Sequence, residues 1–331
     1  MAIGGPRCLV DEAFAEASFV PFSLFFKGPH TTHIRQFAES IDYRTKTVSL
    51  FDSDQDIHYD ILVIATGRAY AKPFHFHGLR EKTSNDRLEM MSSQDEFRPR
   101  VYSTAQLGDQ ISAERKKLQA ADAVVIVGGG ATGIETAAEI RDAFPEKKIT
   151  IFHSKARLLS SQREVSDADA ALVMRKLAAM NIDVLLSTRY EPFSAKSSNY
   201  VVHANGGKPL TAFVPKISKT EEGFVKCDSY LNVLGEKYVF AMGDVVFGSD
   251  ASYKTAVACH APVVAKNINL VLNCEPMLKR VGELSGALKS FFVLALGHND
   301  SLRIGMAGKM FGGAKQKDYF QAKMRKELGC K

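Results

Sequence analysis

The stretch Ala123-Val-Val-Ile-Val127, followed by Gly128-Gly129-Gly130-Ala131-Thr132-Gly133-Ile134-Glu135, decides the fold. Its five apolar, mostly β-branched residues predict a buried strand. Apolar residues then recur at helical spacing from Thr132 to Phe144, and a second strand is predicted at Ile149–Phe152. Strand, glycine-rich turn, helix and strand thus follow one another within about 30 residues, which predicts a Rossmann-type unit that binds a dinucleotide.

Three glycines of this G-x-G-x-x-G turn have separate mechanical roles. Gly128 permits the tight turn, Gly130 lets backbone N–H groups approach a pyrophosphate, and Gly133 lets helix and strand pack closely. The helix N-terminus adds free N–H groups and partial positive charge, both of which suit phosphate. The alternative is a glycine-rich turn in another kind of α/β fold.

The composition limits the classes of protein to which the chain can belong. Its 331 residues suffice for two domains, or for a core domain with a smaller appendage. The sequence has no apolar run of 18 residues, and its N-terminus lacks the apolar segment of a signal peptide. We therefore expect a cytoplasmic protein, with a mitochondrial or membrane-associated location as the alternative.

The cysteines and histidines argue against two kinds of site. The five cysteines are Cys8, Cys227, Cys259, Cys274 and Cys330. None forms a C-x-x-C or C-x-x-x-x-C pair, which excludes a vicinal redox-active pair and fits a reducing compartment. The nine histidines show no metal-ligand spacing, so we expect no metal site.

The formal net charge of +6 is modest, and one stretch stands out from it. Between Lys309 and Lys331, seven lysine and arginine residues are opposed only by Asp318 and Glu327. Such a stretch allows peripheral contact with an anionic membrane or with nucleic acid. A solvated basic helix face is the simpler explanation, and we do not expect nucleic-acid binding.

Two further strands end in turns that suit a nucleotide. Tyr59–Gly67 reads as a buried strand that ends in Ala65-Thr66-Gly67, and residues 45–51 and 57–64 read as a hairpin. Tyr238–Asp244 is another strand, which ends in Gly243-Asp244. An aspartate there can accept hydrogen bonds from sugar-like hydroxyls, or it can cap the apolar helix predicted from about Lys254 to Leu272.

The order of these three motifs resembles a known family. Y-D-x-L-V-I-A-T-G, then G-x-G-x-x-G, then V-F-A-x-G-D is similar to the two-dinucleotide flavoproteins of the pyridine nucleotide–disulfide oxidoreductase class. The finer resemblance is to the apoptosis-inducing-factor-like (AMID-type) NAD(P)H–quinone oxidoreductases. It rests on Val127–Ile140, Ile151–Ser154, Ala261–Ile268 and Leu296–Asp300.

This resemblance implies two cofactor sites. The FAD site would be lined by Ala65, Thr66, Gly67, Gly243, Asp244 and Lys254. Asp244 would lie on the ribityl chain, and the helix that begins near Lys254 would point at the flavin pyrimidine. The NAD(P)H site would be formed by Gly128, Gly129, Gly130, Thr132, Gly133, Glu135, His153, Ser154 and Lys155.

The end of the second Rossmann strand bears on the choice between NADH and NADPH. An acidic residue there would bind the ribose 2′-hydroxyl and repel a 2′-phosphate. This chain has His153-Ser154-Lys155 instead, with Arg157 close by. We expect NADPH to be accepted at least as well as NADH; the alternative is that Lys155 and Arg157 are solvated loop charges.

The chain departs from the family pattern in two places. Such flavoproteins open with their own strand–G-x-G-x-x-G–helix, whereas residues 1–40 contain only Gly4-Gly5 and Gly28. A second A-T-G strand expected near residues 205–218 is also missing. We therefore expect weak FAD affinity in the chain as written, and its recovery when a family βαβ segment is added before Met1.

Together these observations predict an α/β protein with a two-dinucleotide Rossmann-type flavoprotein fold. Residues 1–120 and 223–280 would form a split, incomplete FAD-type domain. Residues 121–222 would form the NAD(P)-binding domain, in which Asn199–His203 starts an antiparallel part, and residues 281–331 a small α+β segment.

The predicted function is electron transfer from NAD(P)H through FAD to a small quinone-like acceptor. The flavin would carry the chemistry, so no protein side chain is expected to be catalytic. The alternative is a flavin-free NAD(P)H-binding protein, regulatory and without turnover. The sequence does not predict the oligomeric state.

Overall fold

Six α-helices and thirteen strands lie within residues 4–24, 28–74, 103–162, 165–192, 198–248, 260–277, 292–298 and 300–304, the part of the chain that the computed structural model describes. The helices are α1 (Gly5–Cys8), α2 (Glu12–Ser18), α3 (Thr104–Ala120), α4 (Ala131–Ala143), α5 (Asp167–Ala179) and α6 (Ala261–Leu272). The strands are β1 (Ala38–Asp42), β2 (Thr47–Leu50), β3 (Asp56–His58), β4 (Leu62–Ile64), β5 (Arg68–Ala69), β6 (Ala123–Val127), β7 (Lys148–Phe152), β8 (Ile182–Leu185), β9 (Asn199–His203), β10 (Lys208–Pro209), β11 (Val239–Ala241), β12 (Phe292–Ala295) and β13 (Ser301–Ile304).

The glycine-rich turn follows a central strand of a four-stranded parallel sheet. The strands lie in the order β8–β7–β6–β9, and Val125 of β6 pairs with Thr150 of β7 on one side and Val201 of β9 on the other. Between β8 and β9 the chain therefore crosses from one side of β6 to the other. In sheets of this type, ligands bind at that reversal, beside the carboxyl ends of the strands.

The sheet buries apolar residues of its central strands β6 and β7, as is usual when both faces of a parallel sheet are covered. Val124, Ile126, Ile149 and Ile151 are at most 1% exposed. Apolar residues of the neighbouring helices complete this core: Ile134, Ala137, Ala138, Ile140, Ala170, Val173 and Leu177. The predicted Rossmann-type α/β fold is confirmed.

Two strand predictions are wrong. Asn199–His203 does not start an antiparallel part, because β9 pairs with β6 in parallel and buries Tyr200 and Val202 against the same core. Residues 57–64 are not one strand. The Tyr59 N–H donates to the Lys46 carbonyl, whereas the Leu62 N–H donates to the Tyr238 carbonyl, so the segment changes partner and splits into β3 and β4.

The chain forms two compact units. Unit 1 comprises Met1–His33, Tyr70–Gly206 and Ser290–Lys331, and unit 2 comprises Ile34–Ala69 and Gly207–Lys289. These limits differ from the predicted domain boundaries, which placed residues 1–120 together and apart from the NAD(P)-binding domain. Assignment of the individual segments to an FAD-type domain stays a prediction.

Polar contacts explain why the N-terminal segment and α3 belong to unit 1. The Arg115 guanidinium donates to the Cys8 carbonyl at 2.8 Å, and the Tyr200 hydroxyl donates to Glu114 at 2.8 Å. Arg7 of α1 forms a buried ion pair with Glu139 of α4. These contacts join α1 and α3 to the elements that flank the glycine-rich turn.

The described residues of unit 2 form three small sheets. Strands β1, β2 and β3 form an antiparallel sheet, β5 pairs with β10, and β4 pairs in parallel with β11. Phe240 and Ala241 of β11 are fully buried and pack with Ile64 of β4 and Val263 of α6. The carboxyl ends of β4 and β11 therefore lie side by side.

The described part of the predicted C-terminal α+β segment is the antiparallel hairpin β12–β13 in unit 1. The Ala295 N–H donates to the Glu135 carboxylate of α4 at 3.0 Å, and Lys176 of α5 contacts Asp300 at 2.7 Å. The hairpin is thus fixed to the helices behind the sheet. None of the helices in the described ranges has the length and apolarity needed to cross a bilayer.

Candidate nucleotide-binding site

Gly128 and Gly133 shape the turn because a side chain at either would collide with backbone. A Cβ at Gly128, where φ is +125°, would overlap the carbonyl oxygen of Ala204, which follows β9. A Cβ at Gly133 would overlap the carbonyl oxygen of Gly128. Glycine at 133 therefore lets α4 approach the end of β6, and glycine at 128 lets the turn approach the residue after β9.

Gly130 opens the turn to a ligand. It is the N-cap of α4 and has no side-chain capping bond, with φ −83° and ψ −178°. A Cβ built on it would have no atom within 4 Å, so there is free space directly above the first turn of α4. The first N–H groups of a helix have no acceptor within the helix. Open space and free donors together fit the pyrophosphate of a dinucleotide.

Gly129 has a role that the sequence analysis did not identify. Its N–H donates to Nδ1 of His153 at 3.1 Å, and its carbonyl accepts from the Leu159 N–H at 2.9 Å. A Cβ at Gly129 would lie 2.5 Å from Cδ2 of Leu158 and 2.8 Å from Cγ of His153. The loop that follows β7 therefore holds the middle of the turn, and only glycine leaves room for it.

The hydrogen bonds of His153 define its protonation state. Nδ1 accepts from Gly129, so it carries no proton, and Nε2 lies 2.9 Å from the Arg157 carbonyl, to which it donates. Burial lowers the pKa of His153 below its ordinary value of 6.5, and Lys155 lowers it further, against the opposing effect of the Arg157 carbonyl. His153 is thus a neutral imidazole with its proton on Nε2.

The other predicted NAD(P)H residues occupy different surroundings. Thr132 lies in the first turn of α4, where its carbonyl accepts from the Thr136 hydroxyl. Ser154 and Lys155 are exposed on the loop that contacts Gly129. Glu135 accepts from the Ala295 N–H, so its carboxylate is directed at β12. Arg157 donates a hydrogen bond to the Val165 carbonyl and forms an ion pair with Asp167.

In unit 2, the predicted FAD residues that the structure describes lie at the carboxyl ends of β4 and β11. The Thr66 hydroxyl donates to the Leu210 carbonyl at 2.6 Å, and Gly67 has a φ of +71°. Arg68 Nε donates to the Asp244 carbonyl at 3.0 Å, and its guanidinium stacks on Phe224. Arg68 therefore joins the two turns. The sequence signal that was overlooked is a basic residue directly after Ala-Thr-Gly.

A second histidine, His260, accepts a hydrogen bond from the turn that follows β11. The Gly243 N–H donates to Nδ1 of His260 at 3.0 Å, and Gly243 has a φ of +76°. His260 is buried at the N-terminus of α6, and burial lowers its pKa while the charge of Asp244 opposes that decrease. This residue was also missed, although it directly precedes the Ala261–Ile268 segment.

These residues fit only part of an FAD molecule. Asp244 and the adjacent turns suit the hydroxyl-bearing part of the cofactor. In the described ranges, however, a glycine-rich turn between a parallel strand and a helix occurs only at Gly128–Gly133, and residues 4–24 form α1 and α2. Lys254, the histidines of 75–77 and the basic stretch 309–331 lie outside the described residues.

Two of the described cysteines, Cys8 and Cys227, are poor nucleophiles at neutral pH. Cys8, Cys227 and Cys274 are free thiols. Burial raises the pKa of Cys8 to about 11 and that of Cys227 to about 12. Because the thiolate is the reactive form, neither buried thiol suits a redox relay. Within the described ranges, no three His, Cys, Asp or Glu residues cluster in a way that could hold a metal ion.

Comparison with known proteins identifies relatives along most of the chain. Residues 6–262 match the family model described as pyridine nucleotide-disulphide oxidoreductase. FAD-dependent oxidoreductase FVFD30 of Flammulina velutipes is 24% identical over 310 residues, which cover 90% of this chain and 88% of that protein. Ferroptosis suppressor protein 1 of Xenopus tropicalis is 26% identical over 353 residues, which cover 98% and 85%.

A solved structure shows the same fold. The sulfide:quinone oxidoreductase of Aquifex aeolicus superposes with a TM-score of 0.65 at 16% identity, covering 99% of this chain and 81% of that one. At this identity the similarity concerns the fold alone.

Proposed function

Because the chain belongs to the pyridine nucleotide-disulphide oxidoreductase family, we propose that it passes electrons from NAD(P)H to a small quinone-like acceptor. The observation that carries this proposal is the free space over Gly130, beside the uncapped N-terminus of α4. The family uses FAD together with NAD(P)H, and FAD, when bound, supplies the electron-accepting chemistry.

The residues of the chain bind and orient the reduced nucleotide. The first N–H groups of α4 bind the pyrophosphate, while the exposed Ser154 and Lys155 lie where the adenosine ribose is recognised in this fold. Cys8 and Cys227 are unsuited to a thiol step, because burial raises the pKa of both thiols. A quinone-like acceptor is supported by the similarity to ferroptosis suppressor protein 1 along 98% of the chain.

The proposal is tested by NADPH oxidation with a soluble short-chain quinone, with and without added FAD. We expect quinone-dependent oxidation that needs FAD and is unaffected when thiols are alkylated beforehand. Gly130→Val, measured beside the wild type, should lose the activity because its side chain fills the nucleotide space. Oxidation that needs no quinone, or that alkylation abolishes, would contradict the proposal.

A second function is favoured by one observation, namely that the described residues fit only part of FAD. In this alternative the chain binds NAD(P)H without turnover. Flavin absorbance of the purified protein, after incubation with excess FAD and removal of the free cofactor, separates the two. A protein that binds NADPH but retains no FAD and does not reduce quinone is the non-catalytic form.

Lys155 should favour NADPH over NADH. Lys155→Ala is expected to weaken NADPH binding about fivefold and to leave NADH binding unchanged, since an exposed ion pair contributes up to about 1 kcal/mol. The matched control is Lys148→Ala, which removes an exposed lysine from the opposite end of β7. Equal Kd values for NADPH in the wild type and Lys155→Ala would show that Lys155 is a solvated loop charge.

A further inference from the structure

Two contacts from the loop after β7 fix Gly129 through the peptide groups on either side of it, and one of them comes from the ring of His153. The imidazole accepts the Gly129 N–H, and the Leu159 N–H binds the Gly129 carbonyl. The backbone of His153 is itself held, because its N–H donates to the Leu185 carbonyl and its carbonyl accepts from the Thr188 N–H. The ring thus links β8 and the loop after β7 to the middle of the turn.

This contact also takes the Gly129 N–H away from any ligand. The phosphate-binding donors that remain are those of the first turn of α4, under the open space at Gly130. The ring of His153 accepts the Gly129 N–H and fills the space where a Cβ of residue 129 would lie. It therefore determines the direction of the peptide groups next to Gly129. Its effect on a nucleotide is therefore indirect.

We propose that His153 is a positioning residue for NAD(P)H, whose neutral imidazole holds the Gly129 peptide so that the N-terminus of α4 receives the pyrophosphate. This role rests on the proposed function, which places the nucleotide at this turn. It replaces the direct cofactor contact expected from the sequence.

The positioning role of His153 predicts in which direction nucleotide affinity changes with pH, and the charged groups near the ring are few in the described part of the chain. On its own loop lie Lys155 and Arg157, and Arg157 is paired with Asp167 at the start of α5. On α4 the carboxylate of Glu135 is bonded to the Ala295 N–H. The turn itself has no charged side chain. Protonation of Nδ1 would place its N–H against the Gly129 N–H, so the hydrogen bond between them would be lost and Gly129 would be released. Nucleotide affinity should therefore fall as the pH falls through the lowered pKa of His153.

A direct contact between His153 and the phosphate would give the opposite pH dependence of nucleotide affinity. An imidazolium that touched the pyrophosphate would bind it more tightly at low pH. The direction of the pH dependence therefore distinguishes a residue that positions the turn from one that binds the ligand.

The experiment measures NAD⁺ binding by calorimetry from about pH 8 down to about pH 4.5, so that the range extends well below the ordinary pKa of histidine. For the wild type we expect the Kd to rise about fivefold towards low pH, the equivalent of one lost hydrogen bond. His153→Asn places an amide oxygen at the position of Nδ1, so it should keep the wild-type Kd at high pH and show no pH dependence. His153→Leu should show, at every pH, a Kd about fivefold above that of the wild type at high pH, and so should match the wild type at low pH.

Two controls keep the outcomes separate. His58→Asn changes an exposed histidine of β3 in unit 2 and should keep the wild-type pH profile. Gly130→Val tests the site itself: if it does not weaken NAD⁺ binding, the proposed function fails. If Gly130→Val weakens binding but His153→Leu does not, or if the wild type binds more tightly at low pH, the positioning role alone is overturned.

Discussion

Replacing Gly130 by valine is expected to raise the Kd for NAD(P)H about a hundredfold, because the loss of two charge-assisted hydrogen bonds costs about 3 kcal/mol. The added side chain would stand in the space above α4, where no atom lies within 4 Å of a Cβ. It would keep the pyrophosphate away from the N–H groups of the first helical turn. The backbone of Gly130 is extended, so valine can adopt it without strain.

The same geometry predicts that Gly130→Val folds normally. We expect its free energy of unfolding to stay within about 1 kcal/mol of the wild type, since a Cβ at this position has no atom within 4 Å. Gly108→Ala, at another glycine whose Cβ would lie in open space, serves as the control and should leave the Kd unchanged. NADPH fluorescence titration gives the Kd and urea unfolding gives the stability. Normal affinity in a folded Gly130→Val would place the nucleotide elsewhere.

The fold around β6 was predictable because its causes are local. A β-branched apolar run, glycines at fixed spacing and a helical apolar period each act over a few residues. The structure accordingly has β6, α4 and β7 close to the predicted limits. The mechanical roles of Gly128 and Gly133 could be stated in advance for the same reason, and the overlaps that a Cβ would make agree with them.

The remaining features depend on partners that are distant in sequence. Nothing near Asn199–His203 indicates whether it pairs in parallel, since that follows from the position of β9 beside β6. The reason for glycine at 129 lies 24 residues away, in the ring of His153. Arg68 and His260 likewise act on residues 176 and 17 positions along the chain. The spacing of a motif can assign such residues to a site, but it does not predict which distant backbone groups they bind.

Breaking the buried ion pair between Arg7 and Glu139 should strongly destabilise unit 1. Arg7 Nε lies 3.4 Å from Glu139 Oε1, and the two side chains are 1% and 2% exposed. The guanidinium also lies over the ring of Phe14, 5.5 Å from its centroid. The pair joins α1 to α4, the helix whose N-terminus receives the nucleotide in the proposed function.

Removing either partner alone leaves the other charge buried without its counter-ion. Arg7→Met and Glu139→Leu should each lower the free energy of unfolding by about 3–5 kcal/mol. The double variant replaces both charges by apolar groups of similar size and should cost less than either single change. Urea unfolding of the four proteins measures this cycle, with the exposed Lys148→Ala as a control that should stay near the wild type. If the two single effects simply add in the double variant, the charges do not compensate each other, and the stability of α1 against α4 comes from apolar packing instead.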